Sequence, residues 1–196
     1  MQFLKLLFRA LGLVAAALLS TASTSLADSG TFHTLQDICR TPICNAQNAV
    51  GRLVMDSAGN LYGALVLSAV GHHNGGAIYE LSPETPPGTS VVRWKFKIIY
   101  DFCALNDCAD GDGPNGSLII DTAGNLYGTT SGGGLNNDSG TVFELTPVAG
   151  KPWAEKIVYS FCSRDSACTD GSSPSDGLAY TGQANGPSMT APPTFM

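Results

Sequence analysis

Beyond the first thirty residues, apolar positions come in short runs, each cut by Gly, Asn, Asp or Pro. In the clearest stretch these runs are Ser117 to Ile120, Leu126 to Thr130, Thr141 to Leu145 and Lys156 to Phe161. Each is rich in β-branched or aromatic side chains and is bounded by turn residues, which predicts four strands. Asp121, Gly124 and Asn125 separate the first two runs. There Gly supplies a positive φ and the Asp carboxylate can bond backbone amides, so this segment is expected to be a hairpin turn. No window after the N-terminal leader sustains an apolar period of 3.6 residues, and Gly or Pro interrupts most candidate helices.

The pattern repeats. Asp56-Ser-Ala-Gly59-Asn60-Leu61-Tyr62-Gly63 returns as Asp121-Thr-Ala-Gly124-Asn125-Leu126-Tyr127-Gly128, and Gly76 to Pro83 returns as Gly140 to Pro147. Tyr100-Asp-Phe-Cys103 returns as Tyr159-Ser-Phe-Cys162, and Asp110-Gly to Pro114 as Asp170-Gly to Pro174. One period therefore holds four antiparallel strands, a sheet with two faces to cover. Sheets recurring at such a period pack against one another, most often as the blades of a β-propeller. The fold class expected is all-β: blade repeats of a β-propeller-like array, about two and a half in number. A partial unit spans Phe32 to Cys44, full units start near Gly51 and Gly116, and the last breaks off after Leu178. An array left open in this way exposes an apolar blade face, which predicts self-association.

Gly124-Asn-Leu-Tyr-Gly-Thr-Thr130, the Gly132-Gly133 pair and Gly140-Thr-Val-Phe-Glu-Leu-Thr-Pro147 resemble the GloVer tandem repeat. So do Val158-Tyr-Ser-Phe161 and the Asp170 to Pro174 segment. The likeness covers roughly residues 31 to 182. It implies an exported bacterial protein of the kind that carries many such repeats, and it brings no catalytic residues with it. The copy at 56 to 83 departs from the pattern, with Ala64-Leu65-Val66 in place of Gly-Thr-Thr and His72-His73 in the loop that follows.

The first residues bear on the compartment. Lys5 and Arg9 flank an apolar stretch through Leu19, and the small residues Ser25 and Ala27 sit at −3 and −1 of a cut after Ala27. These are the parts of a secretory signal peptide, expected over 1–27, with the repeat region over 28–182. The protein is thus expected to be exported, to the extracellular space or the cell envelope. Later apolar runs are of strand length, so no transmembrane segment is expected after cleavage. Loss of the leader leaves eight Lys and Arg against sixteen Asp and Glu, a net charge of −8, which argues against nucleic acid as a partner.

Six cysteines form three local pairs at the same place in the repeat: Cys39/Cys44, Cys103/Cys108 and Cys162/Cys168. An even count, an export signal and a repeated spacing predict intraloop disulfides that staple the connection leaving strand four. Two weak metal candidates stand out. His72 and His73 are adjacent, but neighbouring side chains diverge and a solvated loop is the simpler reading. Asp110, Asp112 and Asn115 offer the oxygen ligands calcium prefers, without the EF-hand order, so turn chemistry is the simpler reading and no cofactor is expected. His33, His72 and His73 are the only imidazoles, and none sits in a nucleophile motif, so no catalytic constellation emerges. The function expected is that of a noncatalytic secreted or envelope-associated protein with a structural or binding role, its ligand left open, a protein or a glycan being the options. A fragment of a calcium-dependent propeller hydrolase or lactonase is the alternative, and a glycan-binding propeller module another. Residues 183–196 fit neither strand nor cap. Reading Met189 to Met196 from the third base of the Met189 codon permits Asp-Gly-Thr-Ser-Asn-Leu-Tyr-Gly, which suggests a shifted frame in a longer gene, against a divergent tail.

Overall fold

The structure is a computed structural model of the 196-residue chain and describes residues 46–68 and 74–179. The leader, Cys39, Cys44, His72, His73 and the tail at 183–196 lie outside the described residues. Eight strands form two four-stranded antiparallel sheets, each a simple meander in chain order. The first contains β1 (Ala46–Met55), β2 (Leu61–Ser68), β3 (Ala77–Glu84) and β4 (Arg93–Asp101). The second contains β5 (Asp112–Ile120), β6 (Leu126–Gly132), β7 (Thr141–Thr146) and β8 (Ala154–Ser160). Among the described residues the only helical element is a 3-10 turn at Asn106–Cys108.

The two sheets share register and irregularities. Gly63 pairs with Tyr79 and Gly128 with Phe143, and a side chain on either glycine would collide with the aromatic ring opposite. β4 and β8 each carry a bulge at the same step, with Ile99 and Val158 as the extra residues. β1 and β5 each slip register around a glycine of positive φ, Gly51 at 70° and Gly116 at 81°. Only glycine takes that backbone without strain.

β5 begins at Asp112, five residues earlier than the pattern of apolar side chains suggested. Gly113 and Pro114 read as a turn in sequence, yet β5 is an edge strand of its own sheet, where a residue without an N–H is tolerated. Pro114 is fully buried instead, against Gly76 of the first sheet.

Side chains alternate between two apolar faces, the pattern of a sheet covered on both sides. Tyr62, Ala64, Ile78, Ile99 and Phe102 of the first repeat join Leu118, Leu126, Phe143 and Leu145 of the second in one core. Phe102 meets Phe143 edge to face with ring centroids 4.9 Å apart, and Tyr62 meets Trp153 at 5.8 Å. Burying an aromatic ring of this kind contributes roughly 1.5–3 kcal/mol. On the other face of the first sheet Leu65, Tyr79 and Leu81 form a second cluster, flanked by Trp94, Phe96 and Ile98.

Candidate functional site

The residues singled out by the repeat occupy three structural devices. The hairpin turns come first. Asp56 Oδ1 accepts hydrogen bonds from the backbone N–H of Ala58 and Asn60, both at 2.9 Å, while Oδ2 accepts from Asn60 Nδ2 and the Tyr62 hydroxyl. Asp121 does the same with Ala123, Asn125 and Tyr127. Gly59 and Gly124 close the turns at φ 84° and 85°. Burial works against ionisation of Asp56, but the bonds from Asn60, Tyr62 and Ala58 outweigh it and hold its pKa below the usual value. Burial, then the Asp56 carboxylate, raises the pKa of Tyr62.

The second device is the loop leaving the fourth strand. Cys103–Cys108 and Cys162–Cys168 are disulfides, closing six- and seven-residue rings. Such a short loop gives about 2 kcal/mol of chain-entropy stabilisation per bridge. Inside the first loop Asp110 is completely buried and accepts from the Tyr100 hydroxyl and the N–H groups of Ala104 and Leu105. Asp170 plays the same part with Tyr159 and Ser163, whose hydrogen bonds, Tyr159 first, hold its carboxyl well below the usual range.

The third device joins one repeat to the next. Gly113 N–H donates to Gly75 O at 2.8 Å, Pro114 seats on Gly76, and a Cβ on Gly51 would come within 2.2 Å of Gly116 O. One period on, Ser173 N–H donates to Ser139 O at 2.7 Å, Pro174 seats on Gly140, and a Cβ on Gly116 would come within 2.5 Å of Gly177 N. Segment 171–179 therefore docks on the second sheet as 111–120 docks on the first.

The calcium candidates are dispersed by these roles. Asp110 faces its own loop, and Asn115 Oδ1 accepts from the N–H of Gly116. Asp112 lies near Asp138, and burial followed by that neighbour raises its pKa. Among the described residues no group of three or more His, Cys, Asp or Glu is arranged to hold a metal ion.

A repeat of this design covers nearly the whole chain. The sequence profile of the Gloeobacter/Verrucomicrobia repeat matches residues 22–190. The chain belongs to that family. The three devices just described lie within the matched residues: the Asp-x-x-Gly-Asn hairpin, the Gly before the third strand that receives the next repeat's Pro, and the Asp-Gly after the disulfide loop. Comparison with curated proteins and with solved structures returns no match.

Two features were not found from sequence. Glu155 enters the core between the sheets at the position that Phe96 holds in the first repeat, and its Oε1 is buried without a hydrogen-bond partner. Burial, then the Asp110 carboxylate, pushes its pKa up to about 7. The other is a groove of about 770 Å³ between β4 and the β7–β8 turn. Its lining residues lie some fifty positions apart in the chain, so no local motif could reveal it.

Proposed function

We propose that this chain is a noncatalytic, exported member of its family whose sheets stack as the blades of a β-propeller-like array and serve a structural or binding role. The observation that carries the reading is the docking device. The same hydrogen bond, the same Pro on Gly and the same glycine-to-glycine approach occur between the first and second sheets and again between the second sheet and segment 171–179. A device that repeats at one offset generates a regular array, and a sheet apolar on both faces, as the first sheet is, is the unit such an array needs.

Export is supported by the leader pattern over 1–27 and by the two disulfides, which persist in oxidising compartments. No helix among the described residues is long and apolar enough to cross a membrane. The noncatalytic reading is supported by how the acids are used: Asp56, Asp121 and Asp110 each spend both oxygens on the turn or loop that holds them, and Asp170 spends Oδ2 in the same way. The repeat region over 28–182 and a tail over 183–196 belong to the same proposal.

Intact-mass and thiol analysis of the protein recovered from an expressing Gram-negative host tests it. The expected species lies outside the cytoplasm, begins at Asp28 and has no alkylatable thiol. A full-length species in the cytosol with free thiols would overturn the exported reading.

A further inference from the structure

The groove between β4 and the β7–β8 turn is unlike the rest of the surface. Lys97 and Ile99 come from the first sheet, and Pro147, Lys151, Pro152 and Trp153 from the second. Among the residues that line it none is acidic, in a chain with sixteen Asp and Glu against ten Lys and Arg. The neighbouring lysines are neutralised, Lys95 by Glu84 at 3.7 Å and Lys156 by Glu144 at 3.5 Å. Lys97 and Lys151 have no such ion pair among the described residues.

The repeat does not require this chemistry. The corresponding turn of the first repeat, from Pro83 to Arg93, has Arg93 as its one cation and carries Glu84 beside it. Trp94 and Trp153 occupy the same place in the two repeats and pack as core, but Lys151 has no counterpart. Two ammonium groups outside any ion pair among the described residues, Lys97 opposite Glu80 in register and Lys151 in the turn, lie beside proline and indole surfaces and suit a ligand with anionic groups spaced along amphipathic rings. An extended acidic peptide is a poorer fit. Pro147 and Pro152 have no N–H, and Lys151 N–H is already bonded to Val148 O at 3.1 Å, so the turn offers little backbone for strand addition. The overall negative charge is no obstacle at close range, because at physiological salt it is screened beyond about 8 Å.

We propose that this groove binds a carboxylated polysaccharide of the uronic-acid type, with Lys97 and Lys151 holding carboxylates and the Pro and Trp surfaces holding sugar rings. The site rests on the noncatalytic reading above and gives the binding role a ligand class.

Calorimetric titration of the full-length chain with an oligogalacturonate tests it, with the methyl-esterified oligomer and poly-glutamate as comparison probes. The expected result is binding that weakens with salt, falls at least about tenfold in Lys97→Ala/Lys151→Ala, and is unchanged in Lys95→Ala/Lys156→Ala. Both double variants keep the apolar core, and matching circular dichroism spectra confirm equal folding. Equal binding of the methyl ester, tighter binding of poly-glutamate, an unaffected Lys97→Ala/Lys151→Ala variant or no binding each overturn the site. Chain length of the recovered saccharide separates the two proposals: shortening would overturn the noncatalytic reading while leaving the groove in place.

Discussion

The two repeats use one backbone and fill it differently. Where the second repeat has Thr129, Thr130 and Thr141, the first has Ala64, Leu65 and Ala77. Thr130 and Thr141 are wholly buried with their hydroxyls 2.8 Å apart. Thr130 Oγ1 also lies 2.8 Å from Gly132 O and accepts from Thr141 N–H. Thr129 Oγ1 sits 2.9 Å from Asn115 O and 3.0 Å from Asp176 O, within reach of the following segment. In the first repeat the pair Leu65 and Ala77 is equally buried and needs no hydrogen bond. Two complete solutions, one polar and one apolar, occupy the same site. A half-exchange would leave a buried polar group unsatisfied, which is costlier than either. Gly51 and Gly76, by contrast, recur as Gly116 and Gly140, each set against another residue's backbone in space that a Cβ cannot share.

The largest expected effect breaks that last identity. Gly51→Ala places a Cβ against the backbone of Gly116 and Ser117 at a positive φ, and should cost about 3–5 kcal/mol in urea unfolding. Gly150→Ala has a similar φ, 67°, but nothing within 4 Å, and should cost only about 1 kcal/mol. Equal losses would mean that conformation, and not the approach of the repeats, sets the requirement.

Next come the two loop aspartates. Asp110→Ala removes a completely buried acceptor and strands Tyr100, Ala104 and Leu105, for about 3 kcal/mol. Asp170→Ala acts on a more exposed loop where water can replace the carboxylate, and its thermal-melt shift should be clearly smaller. Matching shifts would remove the distinction between the loops.

Thr130→Val should cost about 2 kcal/mol by stranding Thr141 and Gly132 O, while Thr130→Val/Thr141→Ala should cost less than the sum of the two single changes by about 1 kcal/mol. Additive costs in that double-mutant cycle would refute the claim that the pair is exchanged as a unit.

The smallest effect concerns Glu155, the counterpart of Phe96. Its folded pKa of about 7 lies above the ordinary 4.5, so the folded state keeps a proton that the unfolded chain has lost. Stability contributed by the protonated form is therefore complete below pH 4.5 and lost as pH rises to about 7. Glu155→Gln should add about 1 kcal/mol at pH 8, discounted for partial exposure, and nothing at pH 4. A gain independent of pH would assign the effect to packing.

Much of this was legible in the sequence because it is local. The Asp-x-x-Gly-Asn turns, the cysteine pairs 103/108 and 162/168 and the alternation on either side specify hairpins and stapled loops within a few residues, and they lie where their chemistry indicated. The meaning of Gly51 and Gly116 was not legible, since each looks like punctuation until another repeat lies against it. Glu155 reads as one polar position in an alternating strand. What makes it unusual is its burial and, after that, Asp110, forty-five positions earlier. Lys97 and Lys151 likewise become neighbours of one groove only when β4 meets the turn after β7.

Each strand pairs only with the strand before or after it in the chain. A chain delivered from its N-terminal end can thus complete one sheet before the next has been made. The finished sheet then presents Gly75 and Gly76 as a preformed seat for the Pro that follows. Growth from such a seat has a direction, from N-terminus to C-terminus, and short loop closures keep each step fast.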